Sequence, residues 1–288
     1  MITILVNIYI DSSEKLFNFK LTLDSLLKLS DNWLVNIRGK MSKEAIKYSK
    51  KKLKSKGIHY QLIDQNGWIV NSLVMLKNSK YPYILFFNED HLSLTKIDYL
   101  KKIIKEMEIE KSDYLMYSWW HNGRYVRGIK KVKMKKGRYI DSLFLTKKNW
   151  KKICKSGHSY YLISTVGIFK KELLVKMMKR DRKKLHIKLS RKIFSFAHKL
   201  NSIGLKINEQ SLFKFINKIL SYKLKRYQNN TPFEIEKDPS RTDILPIKIS
   251  IPKKEIFACI DDDHGVKGYS LNNRGYFKKI NNRQFAFR

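Results

Sequence analysis

Tyr83-Ile84-Leu85-Phe86-Phe87-Asn88-Glu89-Asp90-His91 is the stretch that decides the fold, because an apolar run ends there abruptly in two carboxylates and a histidine. Five apolar or aromatic residues followed by acids are typical of a buried parallel strand whose C-terminal end is polar. In open α/β sheets, ligands bind just outside the carboxyl ends of the strands. Acids at such an end can hold a divalent cation, and the cation can hold a phosphate. The stretch therefore predicts chemistry on a phosphorylated substrate.

Alternating strands and helices precede this stretch. A β-branched apolar run from Thr3 to Ile10 predicts a first strand, and Asp11-Ser12-Ser13 can cap the helix that follows it. Further strands are predicted at 33–37 and 59–64, with helices at 42–55, closed by Gly57, and 67–77. This order, β-α-β-α-β-α-β, predicts an α/β fold with a parallel sheet.

The remainder of the chain is less regular. We predict one domain over residues 1–228 and a C-terminal extension, 229–288, that packs on it. The segment 229–252 holds all but one of the 5 prolines, which predicts extended and irregular structure there.

Positive charge dominates the composition. The chain of 288 residues has 61 Lys and Arg against 25 Asp and Glu, a formal net charge of +36. Such an excess predicts attraction to polyanions: nucleic acid, an anionic membrane surface or a phosphorylated substrate. Codon bias in an AT-rich genome is an alternative source of the lysines, although it does not explain the shortage of acids. The basic residues are spread along the chain, which favours a broad basic surface over a single reading groove.

The two cysteines, Cys154 and Cys259, form no zinc or disulfide pattern, which predicts a reducing compartment. The N-terminal run has no basic region or cleavage site of a signal peptide, and no apolar stretch approaches the roughly 20 residues of a membrane span. We therefore expect a cytoplasmic protein that is either soluble or peripheral at the inner face of the membrane.

The unit from Asn71 to Asp90, Asn-Ser-Leu-Val-Met-Leu-Lys-Asn-Ser-Lys-Tyr-Pro-Tyr-Ile-Leu-Phe-Phe-Asn-Glu-Asp, resembles the helix, strand and metal motif of GT-A fold glycosyltransferases, most closely those of family 2. The resemblance covers roughly residues 2–120 and, more weakly, 160–220. It implies a Rossmann-like, mostly parallel sheet flanked by helices, with a helical and irregular C-terminal extension. The motif is a variant, since Asn88 stands where the family has the first Asp of Asp-x-Asp.

The resemblance also implies roles for individual residues. Asp90 would bind Mg²⁺ or Mn²⁺ on the donor diphosphate, and Asn71, Asn88 and Glu89 would contact the donor. The second strand ends in Arg38-Gly39 where the family has Asp-Gly-Ser. Asp11 and Asp64, which follow the first and third strands, are the replacement candidates for binding the base.

Two acids are candidates for the catalytic base that takes the acceptor proton. Glu209 opens a segment, Asn208 to Phe213, that resembles the family's base-bearing helix; an acid that merely favours the helix dipole is the alternative. Asp262 is the centre of Asp261-Asp262-Asp263, any of which could be the base. This cluster could instead complete the metal site or pair with the basic surface, and a solvated charge run is the usual alternative. Trp119, Trp120 and His121 follow a predicted fifth strand and could contact the acceptor sugar, or simply fill the core.

These features predict a metal-assisted, inverting transfer of a sugar from a nucleotide-sugar donor to a glycan or lipid-linked acceptor, as in polysaccharide biosynthesis. The alternatives are a basic nucleic-acid-binding protein and a metal-dependent nuclease or phosphotransferase that uses the same acids. Nucleic acid is the less favoured partner, because no helix-turn-helix, zinc finger or RNP motif is visible in the sequence.

Overall fold

The computed structural model describes residues 1–63, 67–116, 132–154, 163, 165, 167–183, 244–260, 270–275, 277–281 and 284–287. Numbered in chain order, the helices of these ranges are α1 (Ser13–Leu26), α2 (Ser42–Leu53), α3 (Gly67–Met75), α4 (Ile97–Ile109), α5 (Lys147–Cys154) and α6 (Lys171–Lys183). The strands are β1 (Ile2–Tyr9), β2 (Trp33–Arg38), β3 (Gly57–His59), β4 (Tyr83–Phe86), β5 (His91–Ser93), β6 (Tyr114–Met116), β7 (Met134–Lys136), β8 (Ile140–Leu145), β9 (Gly167–Lys170), β10 (Ile247–Pro252), β11 (Phe257–Cys259), β12 (Phe277–Asn281) and β13 (Gln284–Phe287).

Nine of the described strands form one mixed sheet in the order β3-β2-β1-β4-β9-β6-β10-β8-β7. The strands β3, β2, β1 and β4 pair in parallel, and β10 pairs in parallel with β6. Strands β9 and β8 pair antiparallel with their neighbours, so that the other seven run in one direction. The predicted α/β class with a mostly parallel sheet is confirmed.

Helices cover both faces of the sheet because its strands are apolar on both sides. In β1, Ile2, Ile4, Val6 and Ile8 point into a core shared with α1, α2 and α4, whereas Leu5 points into a core shared with α3, α5 and α6. This alternation is the period-2 pattern of a strand. The first core is filled from α1 by residues at helical spacing, Leu16, Phe19, Leu23 and Leu26. Full burial of each such side chain contributes about 1.5–3 kcal/mol.

The start of α1 confirms the predicted cap. Ser12 has an extended backbone, and its hydroxyl oxygen accepts a hydrogen bond from the Lys15 main-chain N–H at 3.2 Å. Such a cap satisfies one of the amide groups that a helix leaves unpaired at its first turn. It fixes where the chain turns from β1 into α1, at the carboxyl edge of the sheet.

Gly39 makes the corresponding turn after β2. Its φ of +101° lies in the region that favours glycine, and a Cβ there would come within 2.3 Å of the Ile10 main-chain oxygen. The same oxygen accepts the N–H of Met41 at 3.0 Å. The glycine of Arg38-Gly39 therefore lets the β2–α2 turn lie directly against the end of β1.

Three local predictions were wrong. The third strand occupies Gly57–His59, earlier than the predicted 59–64, and Gly57 opens this strand although it was predicted to close the preceding helix. That helix ends at Leu53; Lys54, the next residue, has a φ of 49° and begins a 3₁₀ turn over Lys54–Lys56. The end of the predicted irregular segment is the regular strand β10, because Ile247 and Ile249 alternate as buried residues between β6 and β8.

The segment after β10 also contacts the region that follows the acidic motif. After β10, strand β11 pairs antiparallel with β5, which follows the acidic motif directly. None of the helices in the described ranges combines the length and the apolar character that a membrane span requires.

Candidate functional site

The acidic motif lies at the carboxyl end of β4, in residues 87–90, which we call the motif loop. The Phe87 N–H still pairs with the Leu5 oxygen of β1 at 3.0 Å, so that the loop begins where the pairing with β1 ends. Phe87 is buried, and Asn88, Glu89 and Asp90 are partly exposed. The strand therefore delivers three polar side chains to the carboxyl edge of the parallel half of the sheet, as the sequence predicts.

Neighbouring elements hold the main chain of the motif loop. The Thr22 hydroxyl of α1 donates to the Glu89 main-chain oxygen at 2.8 Å, and the Ile260 N–H donates to the Asp90 main-chain oxygen at 2.7 Å. The Ser93 N–H donates to the Ser25 hydroxyl of α1 at 3.1 Å. The loop is thus positioned by α1 from one side and by the segment after β10 from the other.

The Asp90 carboxylate has two close side-chain contacts. Its Oδ1 is 2.6 Å from Nδ1 of His91, and the Cys259 thiol lies 3.6 Å from its Oδ2. Burial opposes ionisation of Asp90, but the charge and the hydrogen bond of His91 outweigh it and lower the pKa of the carboxyl below its usual value. Asp90 therefore stays ionised at neutral pH and can bind a cation.

Glu89 behaves in the opposite way. Burial raises the pKa of its carboxyl, and the negative charge of Asp90 raises it further. Two adjacent acids with pKa values shifted in opposite directions are typical of functional sites, where like charges are held together against their repulsion.

The acids of the motif loop have no Lys or Arg partner in the part of the chain that the structure describes. Within the described ranges, neither Glu89 nor Asp90 has a Lys or Arg nitrogen within 4.0 Å. Elsewhere in those ranges most acids are paired with Lys or Arg. The paired acids are Asp11, Asp24, Asp31, Glu44, Asp98, Glu110, Asp141, Glu172 and Glu255. Within the same ranges the positive partner of Asp90 is His91, so the motif loop lacks the permanent positive charge that Lys and Arg supply to most other acids.

A buried amide network lies beside this edge. Asn7 of β1 and Asn36 of β2 are register partners, and Asn36 Nδ2 donates to Asn7 Oδ1 at 3.1 Å. Asn7 Nδ2 donates in turn to the Ser72 hydroxyl at 2.8 Å, and Asn36 Oδ1 accepts the Leu62 N–H at 3.0 Å. The network joins β1 and β2 to α3 and to the chain that leaves β3.

Asn71, a predicted donor-binding residue, is completely buried in α3. Its Nδ2 donates to the Ile63 main-chain oxygen at 3.0 Å. In this position Asn71 holds the main chain that follows β3 against α3. A buried side chain would influence a donor indirectly, through the position of that main chain.

Asp11 is exposed at the start of α1, where its Oδ1 lies 3.0 Å from the Lys15 ammonium. The hydrogen bond from Lys15 lowers the pKa of the carboxyl. Asp11 is at the same edge of the sheet as the motif loop, but within the described ranges its charge is already balanced.

The other predicted site residues lie outside the described ranges: Asp64, Trp119, Trp120, His121, Glu209 and Asp262. Their roles stay predictions. The sequence prediction did not include Thr22, Asn7, Asn36 and Cys259. For Asn7 and Asn36 a signal exists, since each is a polar amide within an apolar strand, whereas nothing in the local sequence distinguishes Cys259.

Comparisons with known proteins give only distant likenesses. No family model and no curated protein matches the sequence. Among solved structures, the chain is similar to S. aureus TarS 1-349 in complex with UDP-GlcNAc, with 17% identity over 70% of this chain and 54% of that chain and a TM-score of 0.41. Its similarity to the complex of TarS 1-349 with UDP has 13% identity over 77% and 73% of the two chains, with a TM-score of 0.40.

A further structure, of S. aureus TarS, matches 77% of this chain and 44% of its own length at 16% identity, with a TM-score of 0.41. The chain thus spans about half the length of the first of these structures. TM-scores below 0.5 are too low for these likenesses to assign a ligand or an activity to this chain.

Proposed function

We propose that this protein is a glycosyltransferase of the GT-A type that binds a nucleotide-sugar donor at the carboxyl edge of strands β1 to β4. The observation that carries the proposal is the acidic pair Glu89 and Asp90, which has no Lys or Arg partner within the described ranges of a chain with a net charge of +36. A divalent cation would balance this pair, and the same cation would bind a diphosphate.

The position of the pair supports this reading. Ligands of open α/β sheets bind outside the carboxyl ends of the strands, and the motif loop is at such an end. Asp90 is ionised, partly exposed and held by its neighbours, which suits a metal ligand. A metal bound there would neutralise the charge that develops on the leaving nucleoside diphosphate. The resemblance of the unit from Asn71 to Asp90 to the family 2 motif agrees with this assignment.

The remaining parts of the mechanism are proposed from the resemblance. Asn88 and Glu89 contact the donor beside the metal, and Asn71 contributes through its hydrogen bond to the main chain at Ile63. Glu209 or Asp262 takes the proton of the acceptor hydroxyl, and attack inverts the anomeric carbon. Asp262 follows Ile260, whose N–H donates to Asp90, by two positions.

Trp119, Trp120 and His121 contact the acceptor, which we propose is a glycan or a lipid-linked sugar. The broad basic surface favours an acceptor at an anionic membrane face in the cytoplasm, where positive charge strengthens peripheral binding.

The test is a thermal-shift screen with UDP-, GDP-, CMP- and dTDP-sugars, each with Mg²⁺, Mn²⁺ or Zn²⁺, followed by measurement of nucleoside diphosphate release. We expect one nucleotide family to stabilise the protein only when a cation is present. Asp90→Asn should abolish this response while the protein stays folded. Asp98→Asn is the matched control, since Asp98 is an exposed acid on α4 that is paired with Lys101.

An undiminished response or turnover in Asp90→Asn would overturn the assignment. Tight, steeply salt-dependent binding of random nucleic acid, with no response to any nucleotide sugar, would instead identify the protein as a nucleic-acid binder.

A further inference from the structure

Three different metal-binding side chains meet at the end of the motif loop. A carboxylate oxygen of Asp90, an imidazole nitrogen of His91 and the sulfur of Cys259 all lie within 4.8 Å of one another. Cys259 is distant in sequence and arrives through strand pairing, since it is the register partner of His91 in the β5–β11 pair. Within the part of the chain that the structure describes, these are the residues whose donor atoms form such a group.

The main chain fixes these donors in place. The three residues of β11 pair with β5, and the Ile260 N–H immediately after Cys259 bonds the Asp90 oxygen. A small apolar core of Leu92, Ala258, Ile260 and Leu271 packs under the two strands. Donors carried by a paired and packed backbone are preorganised, which is a requirement for a selective metal site.

The three donor atoms, which lie within 4.8 Å of one another, are close enough to converge on one tetrahedral ion after a small shift. With metal–donor bonds of about 2.0–2.3 Å, neighbouring donors in a tetrahedral site lie roughly 3.5 Å apart. The Cys259 sulfur is 3.6 Å from Asp90 Oδ2. The other oxygen of the same carboxylate, Oδ1, is 2.6 Å from His91 Nδ1, and this separation would have to open by about 1 Å if both atoms bound the metal.

The kinds of donor select the metal. Mg²⁺ prefers oxygen ligands, whereas imidazole and thiolate suit Zn²⁺ and related transition metals. We infer that Asp90, His91 and Cys259 together form a site for a divalent transition metal of the Zn²⁺ type, in preference to Mg²⁺. Three protein ligands leave the fourth position open, as in catalytic zinc sites.

The three proposed ligands differ in their exposure to solvent. The Asp90 side chain is 32% exposed, whereas the side chain of His91 is 6% exposed and Cys259 is fully buried. An ion would therefore enter from the Asp90 side, and the open position would face the edge where the donor is proposed to bind. Under the proposed function, an oxygen of the donor diphosphate would be the fourth ligand. This identification rests on the proposed function, whereas the three protein ligands do not.

Cobalt substitution tests the inference on the full chain without any nucleotide. Protein stripped of metal and titrated with Co²⁺ should show the near-ultraviolet band of a thiolate bound to cobalt. The band should persist in Cys154→Ser, the matched control at the only other cysteine of the sequence, and disappear in Cys259→Ser. Competition with Zn²⁺ should show a loss of affinity of more than roughly tenfold in Cys259→Ser.

His91→Gln provides a second variant in case Cys259→Ser fails to fold, as judged by circular dichroism. It should retain the thiolate band but lose Zn²⁺ affinity by a similar factor. Tighter binding of Zn²⁺ than of Mg²⁺ by the unmodified protein is the third expected result.

A band that survives in Cys259→Ser, unchanged Zn²⁺ affinity in His91→Gln, or equal affinity for Mg²⁺ and Zn²⁺ would overturn the inference. These failures are distinct from failure of the proposed function. If nucleotide-sugar binding needs Asp90 and Mg²⁺ but no transition metal, only the inference of a transition-metal site is refuted. If the protein forms a cobalt–thiolate site but binds no nucleotide sugar, only the proposed glycosyltransferase function is refuted.

Discussion

Acidic side chains have different surroundings in the motif loop and in the region where α4 meets β8. At the α4–β8 edge, which we define by Glu106, Glu110 and Asp141, the acids are fully compensated. Glu110 binds Lys135 at 2.6 Å and Lys248 at 3.0 Å. In the motif loop, Glu89 and Asp90 have no such lysines within the described ranges.

Glu106 has a structural role as an acceptor of main-chain hydrogen bonds. Its two oxygens accept the main-chain N–H groups of Arg138, Tyr139 and Ile140 at 2.8, 2.7 and 3.2 Å. This holds the turn between β7 and β8 against α4. In the described ranges most acids bind lysines or main-chain amides, whereas Glu89 has neither a Lys nor an Arg partner and Asp90 is paired with His91. This difference supports a binding role for the motif loop.

The largest effect that we expect on folding comes from Glu106→Ala. Three main-chain N–H groups lose their acceptor, and we expect the free energy of unfolding to fall by about 2 kcal/mol. Urea unfolding measures the loss. Glu108→Ala, an exposed neighbour on the same helix, is the control and should stay within about 0.5 kcal/mol of the unmodified protein. Equal losses in the two variants would mean that Glu106 stabilises the protein only through helix α4.

Tyr83 should make the free energy of unfolding depend on pH. Burial, together with the charges of Glu108, Asp113 and Glu172, raises the pKa of its hydroxyl from 10.0 to about 12. Between these values the unfolded chain loses a proton that the folded protein keeps, so stability falls as the pH rises, by about 1.4 kcal/mol per unit above pH 10.

Tyr83→Phe should remove this slope. Comparison of urea unfolding at pH 9 and pH 11 should show an extra loss of about 1.4 kcal/mol in the unmodified protein relative to the variant. Parallel curves for the two proteins would show that the tyrosine ionises equally in both states.

Thr22→Val tests whether α1 positions the motif loop. The variant keeps the shape of the side chain but removes the hydrogen bond to the Glu89 oxygen, and we expect a loss of stability of about 1 kcal/mol with weaker cation binding. Thr22→Ser retains the hydroxyl and serves as the control. Normal cation affinity in Thr22→Val would show that the loop keeps its conformation without this contact.

Glu89→Gln should have the smallest effect and the opposite sign to Glu106→Ala. Because burial and Asp90 raise the pKa of Glu89, its ionised form opposes folding above its usual pKa. The variant should be more stable at pH 7, and this gain should vanish below pH 4.5. Its affinity for a divalent cation should fall roughly fivefold, because a nearby negative charge is lost. A loss of stability at pH 7 would place Glu89 with the structural acids of the α4–β8 edge.

The sequence by itself determined the order of elements up to β4 and the place of the candidate site. Period-2 and helical patterns are local, so the order of strands and helices up to β4 and the cap at Ser12 could be predicted from neighbouring residues. The apolar run that ends in Asn88-Glu89-Asp90 likewise predicted the polar edge. The position of β3 was missed, because a strand of three residues that are not buried carries almost no periodic signal.

Only the tertiary structure decided which distant residues join this edge. The register of β1 and β2 brings Asn7 to Asn36, and β10 enters the sheet between β6 and β8 although its proline-containing surroundings suggested irregular structure. The pairing of β11 with β5 places Cys259 beside Asp90 and His91. Such contacts join segments that are up to 169 positions apart, and they are set by strand pairing and burial, which leave no periodic trace in the local sequence.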